Sequence, residues 1–477
     1  MTLPECRTKI VATVGPACDD PDVLRRMIEA GMDVARLNFS HGTFEDHGRR
    51  IGLVREAARS AGRHVAIMAD LSGPKMRIGR LEPGAITLQA GAAFALTVGE
   101  SVGGQDGASV TFEPLPRVVH SGDLIFLNDG LVQMRVETVV GNSVRCRVEV
   151  GGELRSRKGM NLPGLDLGIA AFTDADRAAL EFALANGVDA VSQSFVANAA
   201  DIESVRAAAR KLGREPFIIA KIERAAALAH MDEIIEAADG IMVARGDLGV
   251  EIPIERIALV QKELIRKANL RGRPVIAATQ LLESMTESRL PTRAEATDVA
   301  NAVLDGADCL MLSGESAIGR FPVESVAMLA RIAATIEALR PGRAVRETLL
   351  REGGEAEPSL SDLVATSVGA VLDRCDPAAI IVPSRSGATA RSVARFRPTP
   401  WIIAVSESDA TCSGLQFSAG VYPMHLAGEP DDWTAFVRER VRGRLVKGDL
   451  FMLTAGPSPR HPDANLRVEL IDFRRDG

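Results

Sequence analysis

The 477-residue chain lacks any apolar run long enough to cross a bilayer, any closely spaced cysteine pair and any surplus of positive charge. Each absence excludes a class of protein. Without about 18 or more consecutive apolar residues there is no candidate membrane-spanning helix. Fifty-six basic residues against 63 acidic ones leave a net charge of -7, so neither nucleic acid nor an acidic membrane is expected as the main partner. Six scattered cysteines form no CxxC pair or dense framework, the usage expected in a reducing cytosol. Apart from His41, the histidines (His47, His64, His120, His230, His425 and His461) show no metal-ligand spacing. The first residues carry no apolar signal core, so a cytoplasmic location is expected.

What is present is a long alternation of β-type and amphipathic segments. The chain exceeds the size of a single growing core, so two or three domains are expected. Strand candidates fall at 9–14, 34–39, 65–70, 190–195, 217–223, 240–244, 274–280 and 309–313, with helical candidates between or after them. Eight such βα units predict a TIM (β/α)8 barrel. Between the third strand and its helix, Gly-rich, β-branched alternation predicts an inserted small β domain, a barrel or a sandwich. Beyond the acidic stretch 352–357, renewed alternation predicts a C-terminal α/β regulatory domain. The expected divisions are 1–70 and 166–342 for the barrel, 71–165 for the insert and 343–477 for the last domain.

Chemistry gathers where apolar runs end in charge. Residues two apart in a strand share a face, so Lys221 and Glu223 point together while Ile222 packs opposite. Asp247, at the end of the next run, offers a second carboxylate, and one or two carboxylates plus substrate oxygens are the usual way to hold Mg2+. Along 36–40, Arg36, Asn38 and Ser40 alternate with Leu37 and Phe39, which puts a polar face at a strand end. Taken singly, each has a plainer explanation: an ion pair at a barrel mouth, a turn aspartate beside Gly246 and Gly249, β-propensity at Thr279.

Seven segments stand out in order along the chain: RTKIVATVGP (7–16), ARLNFSHG (35–42), AKIE (220–223), ARGDLGVE (244–251), ATQLLESM (278–285), PTRAE (291–295) and MLSGE (311–315). Together they strongly resemble the pyruvate kinase family. It implies phosphoryl transfer from phosphoenolpyruvate to ADP, giving pyruvate and ATP. By resemblance, Glu223 and Asp247 bind Mg2+ or Mn2+, Lys221 stabilises the transition state and Arg36 contacts the phosphoryl group. The backbone at Gly246 and Asp247 and the Thr279 hydroxyl hold the substrate carboxylate. Asn38, His41, Arg77 and Lys158 match the nucleotide side, and the insert flanked by Arg77 and Lys158 acts as a lid. Asn38, Ser40, Asp70 and the carbonyl of Leu71 match a monovalent-cation pocket.

The chain departs from potassium-dependent relatives at Leu71 and Lys75, which stand where those relatives resemble Thr and Glu. The Lys75 ammonium would replace the ion, so potassium is not expected to be required. In the last domain, Ser384, Ser386, Gly387 and Thr389 lie between an apolar run and a helical candidate, a plausible anion site at a helix start, and resemblance implies a phosphorylated effector there. A simple helix cap is the alternative. The segment 454–461 departs from the glycine-rich effector loop of some relatives, which leaves the effector unidentified. A homotetramer is implied by resemblance alone. Two other functions compete: a Mg2+-dependent barrel lyase acting on pyruvate or enolpyruvate, and a weakly catalytic sensor of phosphorylated metabolites.

Overall fold

Parallel strands buried on both faces read as nearly continuous apolar runs, and eight such runs close on themselves in the computed structural model of this chain. The structure describes residues 3–74, 76–128, 130–165, 167–339, 347–348, 360–455 and 465–475. The closed barrel takes Lys9–Thr13, Met32–Asn38, Ala66–Leu71, Ala190–Gln193, Phe217–Ile222, Gly240–Ala244, Val275–Ala278 and Cys309–Leu312 in sequence order around the ring, every pairing parallel. The predicted TIM barrel is present.

Alternation divides each strand between two cores. Val34, Met68, Ala190, Ile219, Met242 and Ile276 fill the barrel interior, while Ala35, Ala69, Val191, Ile218, Ala220 and Ile222 pack outward against the helices. Capping boxes start several of those helices: Thr43 with Asp46, Thr173 with Asp176 and Thr292 with Glu295. Strand ends shift from the sequence reading by one or two residues. Two shifts have a conformational cause. The fourth strand stops at Gln193 because Phe195 has φ of 62°, and the seventh stops at Ala278 because Thr279 and Gln280 have φ of 70° and 54°.

The segment inserted after the third strand forms two sheets. One has six strands, from Ala93–Val98 to Met160–Asn161, and the other pairs Ala85–Leu88 with Gly152–Arg155. Leu88, Phe94, Leu96, Ile125, Val136 and Leu154 belong to one core shared by both sheets. In the last part of the chain, Val421–His425, Trp401–Ser406, Ala379–Pro383 and Leu450–Ala455 run parallel, and Arg467–Asp472 adds an antiparallel edge.

This α/β unit closes the bottom of the barrel. Phe417 enters the interior core and stacks on Phe217 with ring centres 5.2 Å apart. Beside it the Arg397 guanidinium forks onto both oxygens of buried Asp308, at 2.6 and 2.9 Å. With the N-terminal ends of the strands plugged, the open rim lies at their C-terminal ends, where such barrels carry chemistry. Among the described residues, no helix is long and apolar enough to cross a membrane.

Candidate active site

At the C-terminal rim, the fifth strand presents Lys221, and Glu223 follows it on the same face. Lys221 Nζ donates to Ser194 Oγ at 2.6 Å and lies 3.2 Å from Glu223 Oε2 and 3.4 Å from Asp70 Oδ1. Burial works to discharge this ammonium, but Asp70, Glu223 and Asp247 outweigh it and hold the pKa above the ordinary lysine value. Lys221 therefore stays charged across the working pH range.

Asp70 is 1% exposed and fully engaged. It receives Arg36 Nε at 2.8 Å and Ser192 Oγ at 2.8 Å. Burial pulls its pKa upward, yet Lys221 and Arg36 prevail and keep it below the ordinary carboxylate value. The Arg36 guanidinium also donates to Thr13 Oγ1 at 2.8 Å, and Thr13 in turn donates to the Leu312 carbonyl. Three adjacent strands and the eighth thus fix one arginine. Asn38 is the register partner of Asp70, but its side-chain oxygen accepts the Ser40 N–H.

Glu223 differs from Asp70. Oε1 accepts the Phe195 N–H at 2.7 Å, whereas Oε2 is buried with no hydrogen-bond partner. Burial, opposed by Lys221 and reinforced by Asp247, pushes its pKa up to about 7. A buried carboxylate oxygen that accepts no hydrogen bond, close to a second carboxylate, suits a divalent cation. Among the described residues no group of three or more His, Cys, Asp or Glu forms an all-protein cage, so an ion here would complete its shell with water or substrate oxygens. That is the ordinary habit of Mg2+.

Asp247 lies in the first turn of the helix Arg245–Glu251. The Gly246 N–H donates to Thr279 Oγ1 at 2.7 Å, and that hydroxyl donates to the Ala278 carbonyl at 2.7 Å. A Cβ on Gly246 would stand 3.4 Å from Thr279 Oγ1, an ordinary contact, so the hydrogen bond rather than the missing side chain holds this corner together. Left-handed φ at a β-branched residue is costly, and such strain gathers at functional sites. Arg245 holds the turn by donating to the carbonyls of Ala278 and Thr279 and to Asp298.

The structure thus joins Arg36, Asp70, Lys221 and Glu223 in one contact network and joins Gly246 to Thr279. The Leu71 side chain is fully buried in the helix-facing core, but its carbonyl accepts Ser194 Oγ at 2.7 Å and so joins the network through the hydroxyl that receives Lys221. His41 is exposed, and its carbonyl is hydrogen-bonded to the His47 ring. Arg77 and Lys158 lie on the two segments that join the insert to the barrel, where Arg77 bridges to Gly159 and the Ile78 N–H donates to the Lys158 carbonyl. Lys75 falls outside the described residues. In the last unit, Ser384 Oγ accepts the Gly387 N–H at 2.9 Å, and Arg391 donates to the Ser386 carbonyl. Thr389 lies in the short helix Ala388–Ala394 that follows.

Thr13, Ser192 and Ser194 orient the charged groups and were not singled out in the sequence. For Ser192 and Ser194 a signal existed: alternation along the expected run 190–195 puts both on the face of Ala190, which the structure turns toward the barrel interior.

Two family models match the chain: the pyruvate kinase barrel domain over residues 5–326 and the pyruvate kinase alpha/beta domain over residues 362–466. Similar curated proteins include a pyruvate kinase of Thermococcus litoralis, 45% identical over 96% of this chain and 96% of the relative. A pyruvate kinase of Geobacillus stearothermophilus is 44% identical over 94% of this chain and 77% of its own length. One of Clostridium acetobutylicum is 39% identical over 98% of this chain and 100% of its own.

Proposed function

Because this chain belongs to the pyruvate kinase family, we propose that the network around Lys221 carries the family's reaction, phosphoryl transfer from phosphoenolpyruvate to ADP. The bond from the phosphoryl group to the enol oxygen breaks, a bond to a terminal ADP oxygen forms, and the enolate takes a proton to become pyruvate. Such transfers need positioning and cations around the moving oxygens more than covalent help. In this reading Lys221 sets a permanent positive charge against the transferring group, and Arg36 orients its oxygens. Thr279 and the Gly246 N–H exchange their mutual hydrogen bond for the substrate carboxylate. Glu223 and Asp247 hold Mg2+, or Mn2+ in its place, which when bound neutralises charge on the phosphoryl oxygens.

The observation that carries this reading is Glu223 Oε2, buried without a hydrogen bond beside a charged lysine and near a second carboxylate. The lyase alternative is not favoured, since the relatives share the kinase name at high coverage. The test is pyruvate formation from phosphoenolpyruvate with ADP and metal varied independently. Turnover is expected only with both present, and ADP-independent pyruvate release would overturn the reading.

Four finer points belong to the same proposal. Asn38, His41, Arg77 and Lys158 serve the nucleotide, with the insert as a lid that excludes water. Lys75 takes the place of a monovalent cation at Asn38, Ser40, Asp70 and the Leu71 carbonyl, so turnover at fixed ionic strength is expected to be the same with and without potassium. A large potassium activation would remove that assignment. Ser384, Ser386, Gly387 and Thr389 accept a phosphorylated effector, and the working form is a homotetramer; ligand titration and sedimentation test these two in turn.

A further inference from the structure

A cavity of about 690 Å3 opens where Arg7, just before the first barrel strand, meets the N-terminal ends of the parallel strands of the last unit. It lies beside Ala378, Trp401 and Leu450, which begin or precede those strands. The Ser384–Thr389 loop is at the opposite end of the same sheet. The volume is within the range of small-molecule sites.

Its charge runs against that of the molecule. Asp449 is neutralised by Arg442 at 2.5 Å, and Arg474 is taken up by Asp472 at 2.7 Å. Among the described residues, Arg7, Arg374 and Lys447 form no ion pair, and Asp376 is the unpaired acid in the lining. Arg7 Nε is in addition buried with no hydrogen-bond partner. Two guanidinium forks and an ammonium against one carboxylate leave a surplus of two positive charges, in a protein whose net charge is -7. That surplus matches the dianion of a phosphate monoester, and fork and point-charge donors are the side chains that recognise phosphate. Trp401, with Pro377 and Pro400, supplies an apolar wall for the rest of such a molecule.

We propose that this cavity binds a phosphorylated small molecule, bridging the leading segment of the barrel and the α/β unit. The proposal is independent of the active-site reading. Trp401 provides the readout: in full-length protein carrying Trp433→Phe it is the sole tryptophan. Inorganic phosphate and pyrophosphate are titrated in metal-free buffer at constant ionic strength, following Trp401 emission. A saturable change is expected for the phosphate probes and not for chloride. Arg374→Glu with Lys447→Glu, both exposed side chains, is expected to weaken binding at least tenfold, and Ser386→Ala to leave it unchanged. No saturable signal, or a signal that the double charge reversal does not weaken, would overturn the proposal. Lys447→Gln alone, expected to weaken binding severalfold, serves as the milder variant.

Discussion

Glu223 and Asp70 are both buried carboxylates beside Lys221, yet their surroundings move their proton affinities in opposite directions. Asp70 has an arginine, a serine and the lysine; Glu223 has one backbone N–H, the lysine and a neighbouring carboxylate. The consequence is a pH dependence of the metal-free protein. With the folded pKa of Glu223 raised from 4.5 to about 7, its stability contribution is fully present below 4.5 and is lost as pH rises through 7. Thermal or urea unfolding of metal-free protein is expected to lose on the order of 3 kcal/mol across that window. Glu223→Gln should flatten this part of the curve, and saturating Mg2+ should restore stability at pH 8. An unchanged slope in the variant would acquit Glu223. The Lys221 and Glu223 pairing was legible in the sequence because period-two alternation is a strict geometric rule. The tenancy of Asp70 was not, because a strand pattern says which face a residue takes but not which cations other strands bring to it.

At the scale of elements, the eight strands were legible because barrel strands read as short, nearly continuous apolar runs separated by amphipathic segments. Their ends were less so. Thr279 has high β-propensity and reads as strand, but its φ of 70° belongs to a turn that the Gly246 and Arg245 hydrogen bonds hold. The short helix Met231–Ala237 is hard to read from sequence, since seven residues span barely two turns of any periodic pattern. Removing the Thr279 hydroxyl tests the turn. Thr279→Ala leaves the Gly246 N–H without its acceptor, a loss of about 1–3 kcal/mol, and kcat/KM for phosphoenolpyruvate should fall by roughly 10- to 100-fold. Thr279→Ser keeps the hydroxyl and should stay close to wild type; equal activity in all three proteins would exclude the hydroxyl from substrate binding.

For the whole molecule, the chain order of barrel, insert, barrel and α/β unit was legible as a change of pattern, from helix–strand alternation to strands alone and back. How the α/β unit meets the barrel was not, because contacts between distant segments leave no local signature. Phe417 is 1% exposed inside the barrel floor, 200 residues after the Phe217 it stacks on. Phe417→Ala should therefore destabilise the barrel by about 3–5 kcal/mol, read as a lowered unfolding midpoint in full-length protein. A midpoint within error of wild type would mean that the unit merely rests against the barrel. At the opposite rim, a Cβ on Gly130 of the insert would lie 3.5 Å from Val250, in the helix that bears Asp247, so the insert reaches the site it is proposed to cover.

The central claim is that a permanently charged Lys221 acts on the phosphoryl group passing from phosphoenolpyruvate to ADP. Steady-state pyruvate formation by Lys221→Met, at saturating substrates and Mg2+, tests it most directly, with far-UV circular dichroism confirming the fold. A fall in kcat of about a thousandfold or more, with the fold intact, is the predicted result; a folded variant with wild-type kcat would contradict the account.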